Sequence, residues 1–258
     1  SRYVIDLNRG EDDVSLYPGQ NTTGLCPLVQ FDGTPVYRDG AAPDADEVRA
    51  RVDRYWRPYH AALQGEIARL LAAHGRVVLW EGHSIKGDLP FLFEGRLPDL
   101  NLGTAGGASC SPALQARLEA VLAAQTDYGW VANGRFKGGH ITRHFGDPAR
   151  GIEAVQLEIS QRCYMDETTF EWDAARADAL TPLLRSLLAG AIGFAAGAGA
   201  PGAPARRCGR SGRCCGWWPR RCSCRCSTPP SSTRRCRRWR LIWGSRRCAC
   251  SRWSWPMP

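Results

Sequence analysis

The chain has 258 residues, enough for one large α/β domain or two small ones, and its 34 Lys and Arg outnumber 25 Asp and Glu. The excess is local, because residues 201–258 hold 15 Arg and no acid, which leaves residues 1–200 with a net charge of −6. Composition therefore argues against a basic, nucleic-acid-binding body and predicts a mildly acidic domain over residues 1–198.

The cysteines, like the charges, are distributed unevenly between the body and the C-terminal tail. The body holds Cys26, Cys110 and Cys163, and the other nine cysteines lie between residues 208 and 250. Three scattered cysteines suit a reduced, cytoplasmic enzyme better than a disulfide scaffold. The apolar stretch at residues 187–200 is too short and too rich in Gly to span a membrane, so we expect no membrane partner.

The first half of the body begins with a predicted strand at residues 2–7. Turn-forming dipeptides then predict a loop-rich region up to residue 43. Apolar residues at steps of three and four predict a long helix over residues 44–74, capped by Asp44 and kinked at Pro58.

The second half alternates strands and helices. A β-branched apolar run at residues 77–80 predicts a buried, central strand, and a long Gly- and Pro-rich loop follows it. The remaining predicted elements are a helix at 112–125, a strand at 128–132, a central strand at 152–159 and a helix at 172–196. This order predicts a three-layer α/β/α domain with a mostly parallel or mixed central sheet.

Chemistry-bearing residues lie near the ends of these strands. Asn8 and Arg9 end the first strand, and a guanidinium fork matches a carboxylate, although an ion pair with a nearby acid explains the spacing equally simply. His83 follows the 77–80 strand and suits either zinc ligation or an ordinary hydrogen bond, with Ser84 or a backbone carbonyl on its other nitrogen. Glu158 lies in an apolar strand, where a carboxylate needs a partner or a task.

A second cationic region follows the strand at 128–132. The Gly-rich run at 134–139 contains Arg135 and is followed by Arg143. Glycines allow close backbone approach to a ligand, so this region predicts either a substrate-binding loop or a solvated basic loop.

Five blocks in order give these residues a common context: RYVIDLNR at 2–9, YPGQNTTG at 17–24, HSIKGDLPFLFEGRLPDLNLGTAGGASC at 83–110, NGRFKGGHITRHFG at 133–146 and VQLEISQRCYMDE at 155–167. Together they resemble the N-formylglutamate amidohydrolase (deformylase) family, over residues 1–195. The resemblance implies a zinc carboxypeptidase-like fold, here lacking its first strand. It also implies hydrolysis of a small-molecule substrate, N-formyl-L-glutamate, to L-glutamate and formate in histidine degradation.

The resemblance also implies roles. It implies Zn²⁺ as cofactor with His83 as one of three protein ligands, the other two being expected on a segment that precedes this sequence. It implies the following further roles: Glu158 as general base, Arg2 polarising the scissile carbonyl, Asn8 and Arg9 holding the substrate carboxylate, and Arg143, in preference to Arg135, holding the second carboxylate.

Two alternatives remain open for the body and the tail. Without a complete metal site, the body is a catalytically inactive fragment or a carboxylate-binding module.

Residues 199–258, rich in Arg, Cys and Trp, have the composition of GC-rich DNA translated out of frame, and we expect a disordered, frameshift-derived tail. Nucleic-acid binding through that tail and a thiolate metal cluster are weaker interpretations, since it contains no CxxC pair. Nothing in the sequence predicts the oligomeric state.

Overall fold

The structure is a computed structural model, and it describes residues 1–17, 19 and 22–197. The predicted tail at 199–258, with every interpretation given for it, lies outside the described residues. The fold below is that of the predicted body.

A four-stranded mixed sheet forms the middle layer, in the order β1-β4-β2-β3. The strands are β1 (Val77–Ile85), β2 (Leu100–Gly103), β3 (Trp130–Ala132) and β4 (Ile152–Ser160). Strand β1 runs parallel to β4, β2 runs parallel to β3, and β2 is antiparallel to β4. The predicted mixed sheet is thus confirmed, and β4 lies inside it, as the apolar residues on both of its faces indicate.

Helices cover both faces of the sheet. They are α1 (Ala45–Arg51), α2 (Arg57–His74), α3 (Pro112–Ala123), α4 (His140–Phe145) and α5 (Ala174–Ala195). On one face, α3 and α5 pack leucines against Leu157 and its neighbours in the main core. On the other face, Ile67 of α2 packs against Val77 and Ile152. The predicted three-layer α/β/α arrangement is confirmed.

The strand predicted at residues 2–7 is wrong. This segment is a series of turns, in which Val4 N–H donates to the Ser1 carbonyl and Asn8 N–H donates to the Asp6 carboxylate. Short polar side chains that bond to nearby backbone compete with a strand ladder. The segment is held to the body through Ile5, which packs against Leu25 and Val52.

The strand predicted at 77–80 is longer than expected and lies elsewhere in the sheet. It continues through His83 to Ile85, and within the described residues it is an edge strand and not a central one. The predicted helix at 44–74 is present, but five residues from Val52 to Trp56 are π-helical. Pro58 has no N–H to donate to a carbonyl in the preceding turn, and this explains why the regular α-helical hydrogen bonding is interrupted just before it.

Helix α5 is, among the described residues, the one helix long and apolar enough to cross a membrane by length and composition. One such helix is weak evidence, because core helices of soluble proteins meet the same test. Leu180 and Leu187 of α5 are buried in the main core. The three body cysteines are free and buried, and Cys110 and Cys163 belong to that same core.

Candidate active site

One face of the sheet carries a row of polar side chains between α2, α4 and the turns of residues 1–9. Because paired residues in register point to the same side, Glu81 and His83 of β1 lie beside Gln156 and Glu158 of β4. The residues between them point to the opposite face, where Val155 and Leu157 enter the main core. Strand alternation thus separates the polar row from the packing core.

Glu158 is a buried carboxylate on the wall of the cavity, with 8% of its surface exposed. Burial raises the pKa of Glu158 to about 7, although the nearby charges of His83 and Arg2 and a hydrogen bond from Gln156 each act to lower it. A carboxylate with a pKa close to neutrality can both accept and release a proton at physiological pH.

His83 lies next to Glu158 and is oriented by two neighbours. Its Nε2 lies 3.1 Å from Glu81 Oε2 and 3.3 Å from Asn8 Nδ2. Desolvation lowers the pKa of His83, but the hydrogen bond to Glu81 and the charges of Glu158 and Glu81 outweigh it, so that the pKa is raised. Ser84, expected to be a partner for His83, instead lies 2.6 Å from the Tyr164 hydroxyl.

Asp6 holds two arginines at the cavity. Its Oδ2 lies 3.3 Å from Arg2 Nε and 3.9 Å from Arg9 Nε. Burial lowers the pKa of Arg9 although Asp6 raises it, which is the behaviour of a cation largely removed from water. The guanidinium of Arg2 also lies over the Phe31 ring at 5.1 Å. Both arginines therefore line the cavity in fixed positions.

Asn8 is fixed by the start of α4. Its Oδ1 accepts a hydrogen bond of 2.8 Å from Ile141 N–H, so its amide nitrogen faces His83. Gly139 lies directly against this side chain, since a Cβ at Gly139 would come within 2.3 Å of Asn8 Nδ2. The glycine is needed for that close approach.

Arg135 and Arg143 have different surroundings. Arg135 lines the cavity, donates to the Leu92 carbonyl and lies over the Phe93 ring at 4.9 Å. Arg143 is not among the lining residues; its Nε donates to the Gly138 carbonyl at 2.8 Å and its guanidinium lies 5.5 Å from the Tyr17 ring. The geometry therefore favours Arg135 over Arg143 for contact with a ligand, the reverse of the sequence-based preference.

The cavity thus combines three cationic side chains with two buried carboxylates, Asp6 and Glu158, and a histidine. Part of its remaining wall is apolar and aromatic, from Phe31, Leu92, Phe93 and Phe136, and polar side chains such as Thr22 and Thr23 line the rest. Such a site can bind a small anion with an apolar stem and can transfer a proton at its inner end.

The predicted zinc site can be tested against the same residues. Within residues 1–17, 19 and 22–197, no three His, Cys, Asp or Glu side chains are placed to hold one metal ion. A catalytic zinc needs three protein ligands and an open position. These residues, His83 included, therefore do not by themselves fit a complete zinc site.

Sequence reasoning identified Arg2, Asn8, Arg9, Arg135, His83 and Glu158, and the structure brings all six to one cavity. It missed Asp6, Glu81 and Gln156. Glu81 and Gln156 could have been found by strand alternation, because each lies two residues before a predicted site residue. Asp6 also lies two residues before a predicted site residue, Asn8, but its segment forms turns, so strand alternation does not account for its position.

Comparison with known proteins gives a consistent family. The model of the N-formylglutamate amidohydrolase family matches residues 1–165. A Pseudomonas aeruginosa protein named N-formylglutamate deformylase is 54% identical over 189 residues, which cover 73% of this chain and 71% of that protein. A Pseudomonas putida protein of the same name is 52% identical over 194 residues, covering 73% and 72%.

Solved structures agree at the level of the fold. The N-formylglutamate amidohydrolase of Ralstonia eutropha is 28% identical, with a TM-score of 0.60 over 75% of this chain and 73% of that chain. An Agrobacterium tumefaciens gene product, at 19% identity and a TM-score of 0.54 over 75% of this chain and 68% of its own, shares the fold.

Proposed function

Because this chain belongs to the N-formylglutamate amidohydrolase family, we propose that it hydrolyses N-formyl-L-glutamate to L-glutamate and formate at the cavity described above. The observation that carries the proposal is the placement of Glu158, a buried carboxylate of raised pKa, in a cavity lined by Arg2, Arg9 and Arg135. We place this reaction in histidine degradation, as the resemblance implies.

Substrate binding uses charge and shape. The substrate carries two carboxylates separated by a short apolar stem, and the cavity offers cations together with aromatic side chains. Arg9, with Asn8 beside it, holds one carboxylate, and Arg135 holds the other. Arg143 contributes indirectly, by holding the Gly138 carbonyl and with it the loop that carries Arg135.

The chemical step uses Glu158 and Arg2. Glu158 takes a proton from the attacking water as the oxygen bonds to the formyl carbon, and it then delivers that proton to the leaving nitrogen as the C–N bond breaks. Arg2 stabilises the negative charge that develops on the formyl oxygen. The raised pKa of Glu158 suits both halves of this transfer.

Zinc remains part of the proposal, with His83 as one ligand. When bound, zinc supplies a Lewis acid that lowers the pKa of water. Its other protein ligands are not found among the described residues. Zinc dependence is tested separately, by metal analysis of the purified chain and by formate release before and after chelation.

The central test is formate release from N-formyl-L-glutamate by the full chain and by Glu158→Gln. We expect the substitution to lower kcat by at least about a hundredfold, the usual contribution of a general base, with bound metal unchanged. Glu66→Gln is the matched control, because Glu66 is an exposed carboxylate that pairs with Arg69 on the surface of α2. Turnover that survives in Glu158→Gln removes Glu158 from the mechanism.

A second candidate function is a carboxylate-binding module without turnover. It is favoured by one observation, that the cavity has its cations while the described residues lack a three-ligand group. Calorimetric binding of L-glutamate by a chain that releases no formate would support it, and Arg135→Met should then weaken that binding. For either function we propose a small-molecule partner, supported by the family of the chain. We also propose a cytoplasmic location, supported by the free, buried body cysteines.

A further inference from the structure

Gln156 lies on the polar face and bonds to both the glycine-rich loop and the candidate base. It is 4% exposed and has no place in the binding and proton-transfer steps described above. Its Oε1 accepts a hydrogen bond of 2.8 Å from Gly139 N–H, and its Nε2 donates to Glu158 Oε2 at 3.3 Å. One amide therefore spans the distance between the loop and the carboxylate.

The orientation of this amide is fixed by chemistry. A backbone N–H can only donate, so the oxygen of Gln156 must face Gly139 and its NH₂ group must face Glu158. Gln156 and Glu158 are two residues apart on one strand and share a face, which makes the second contact a short one.

The glycine-rich loop can reach Gln156 because the residue paired with Gln156 on the neighbouring strand has no side chain. Gly103 of β2 pairs with Gln156, and a Cβ at Gly103 would lie 2.7 Å from the Gly138 nitrogen. The loop backbone thus rests directly on the sheet. Gly139, which donates to Gln156, also lies against Asn8.

We propose that Gln156 is a positioning residue that links the substrate-binding loop to the carboxylate of the general base. The inference rests on the proposed function, since it acts through Glu158. Contacts made by substrate with Asn8 and the loop reach Glu158 through Gly139 and the Gln156 amide. The donated hydrogen bond holds the carboxylate in one rotamer, with its other oxygen free for water.

Two substitutions separate the two bonds. Gln156→Met keeps the length of the side chain and loses both, whereas Gln156→Glu keeps an acceptor for Gly139 and replaces the NH₂ donor to Glu158 with a second acidic group. Gln125→Met is the matched control, because Gln125 makes a similar set of amide bonds, to Leu122 and Tyr128, far from the cavity.

In the full chain, we expect both Gln156 variants to lower kcat by about tenfold to a hundredfold, the effect of one hydrogen bond to a charged group. KM should change by less than about threefold, because substrate contacts are retained. Hydrogen exchange at the Gly139 amide should accelerate in Gln156→Met and stay near the wild-type rate in Gln156→Glu. Gln125→Met should leave all three quantities unchanged.

Three results overturn the inference. A kcat for Gln156→Met within about twofold of wild type removes the link to the base. Equal protection of Gly139 in wild type and Gln156→Met removes the link to the loop. An equal loss of kcat in Gln125→Met would show that the loss of kcat in the Gln156 variants comes from general destabilisation of the fold. If the wild-type chain releases no formate, the proposed function fails, and the exchange rates alone then decide whether Gln156 holds the loop.

Discussion

Gly103 and Gly82 both lie inside strands, and we predict that alanine at these two positions will change stability in opposite directions. A Cβ at Gly103 would lie 2.7 Å from the Gly138 nitrogen, 2.8 Å from the Lys137 carbonyl carbon and 2.9 Å from the Phe136 oxygen. All three are backbone atoms, which cannot rotate away. A Cβ at Gly82 meets only Trp80 Nε1, at 4.0 Å.

The magnitudes follow from these contacts. Overpacking of a closed core costs about 1–3 kcal/mol, so Gly103→Ala should lower the free energy of unfolding by roughly 2 kcal/mol. For a domain of this size that corresponds to a Tm lower by about 4–8 °C. Gly82→Ala meets open space at an ordinary backbone conformation, and restricting the unfolded chain should stabilise by about 0.4–1 kcal/mol.

Urea unfolding followed by circular dichroism measures both variants against wild type, with equal m-values as the check that one transition is compared. A Gly103→Ala variant as stable as wild type would show that the loop does not rest on β2. A Gly82→Ala variant that loses stability as strongly as Gly103→Ala would show that strand glycines here are needed for another reason.

Three further predictions concern the cavity and its surroundings. Arg135→Met should raise KM for N-formyl-L-glutamate by at least about tenfold, whereas Arg143→Met should lower stability and change KM less. Equal effects of the two substitutions on KM would indicate that Arg143 also contacts the substrate. Gly139→Ala should displace Asn8 and lower kcat/KM by about tenfold or more, and in an Asn8→Ala background the same change should cost little. Burial, with the charges of His144 and His60, lowers the pKa of His140 to about 4. The unfolded chain therefore binds the proton first, and stability should fall by roughly 1–2 kcal/mol as pH drops from about 6.5 to 4, but less in His140→Phe.

The three-layer arrangement could be predicted because the long helices and strands have clear patterns of apolar residues in their sequences. Helices α2 and α5 show apolar residues at helical spacing, and β4 has apolar residues on both faces. Strand β2 was missed, since its four residues, LNLG, stand within a Gly- and Pro-rich stretch that resembles a loop. Their complete burial between β3 and β4 is a tertiary property, which no local pattern of four residues expresses.

The site was predictable where a residue type sits at the end or middle of a recognisable strand, as with His83 and Glu158. The choice between Arg135 and Arg143 was not. Both follow the same strand and carry the same charge, and the outcome depends on which carbonyl each meets: that of Leu92 at the cavity or that of Gly138 behind the loop. Such a choice is made by packing between segments far apart in sequence.

The buried thiols of the main core provide internal reporters of local opening. Burial raises the pKa of both Cys110 and Cys163 to about 12, so in the native state neither presents a thiolate to an alkylating reagent near neutral pH. Cys110 adjoins Ser109, whose carbonyl accepts from Ala154 near the start of β4, and Cys163 follows the end of that strand. Their alkylation rates, read peptide by peptide in a mass spectrometer, therefore report unfolding free energies for the two ends of one strand. If the end that carries Glu158 opens more readily than the other, Cys163 will be labelled first, and saturating L-glutamate will slow its labelling more than that of Cys110.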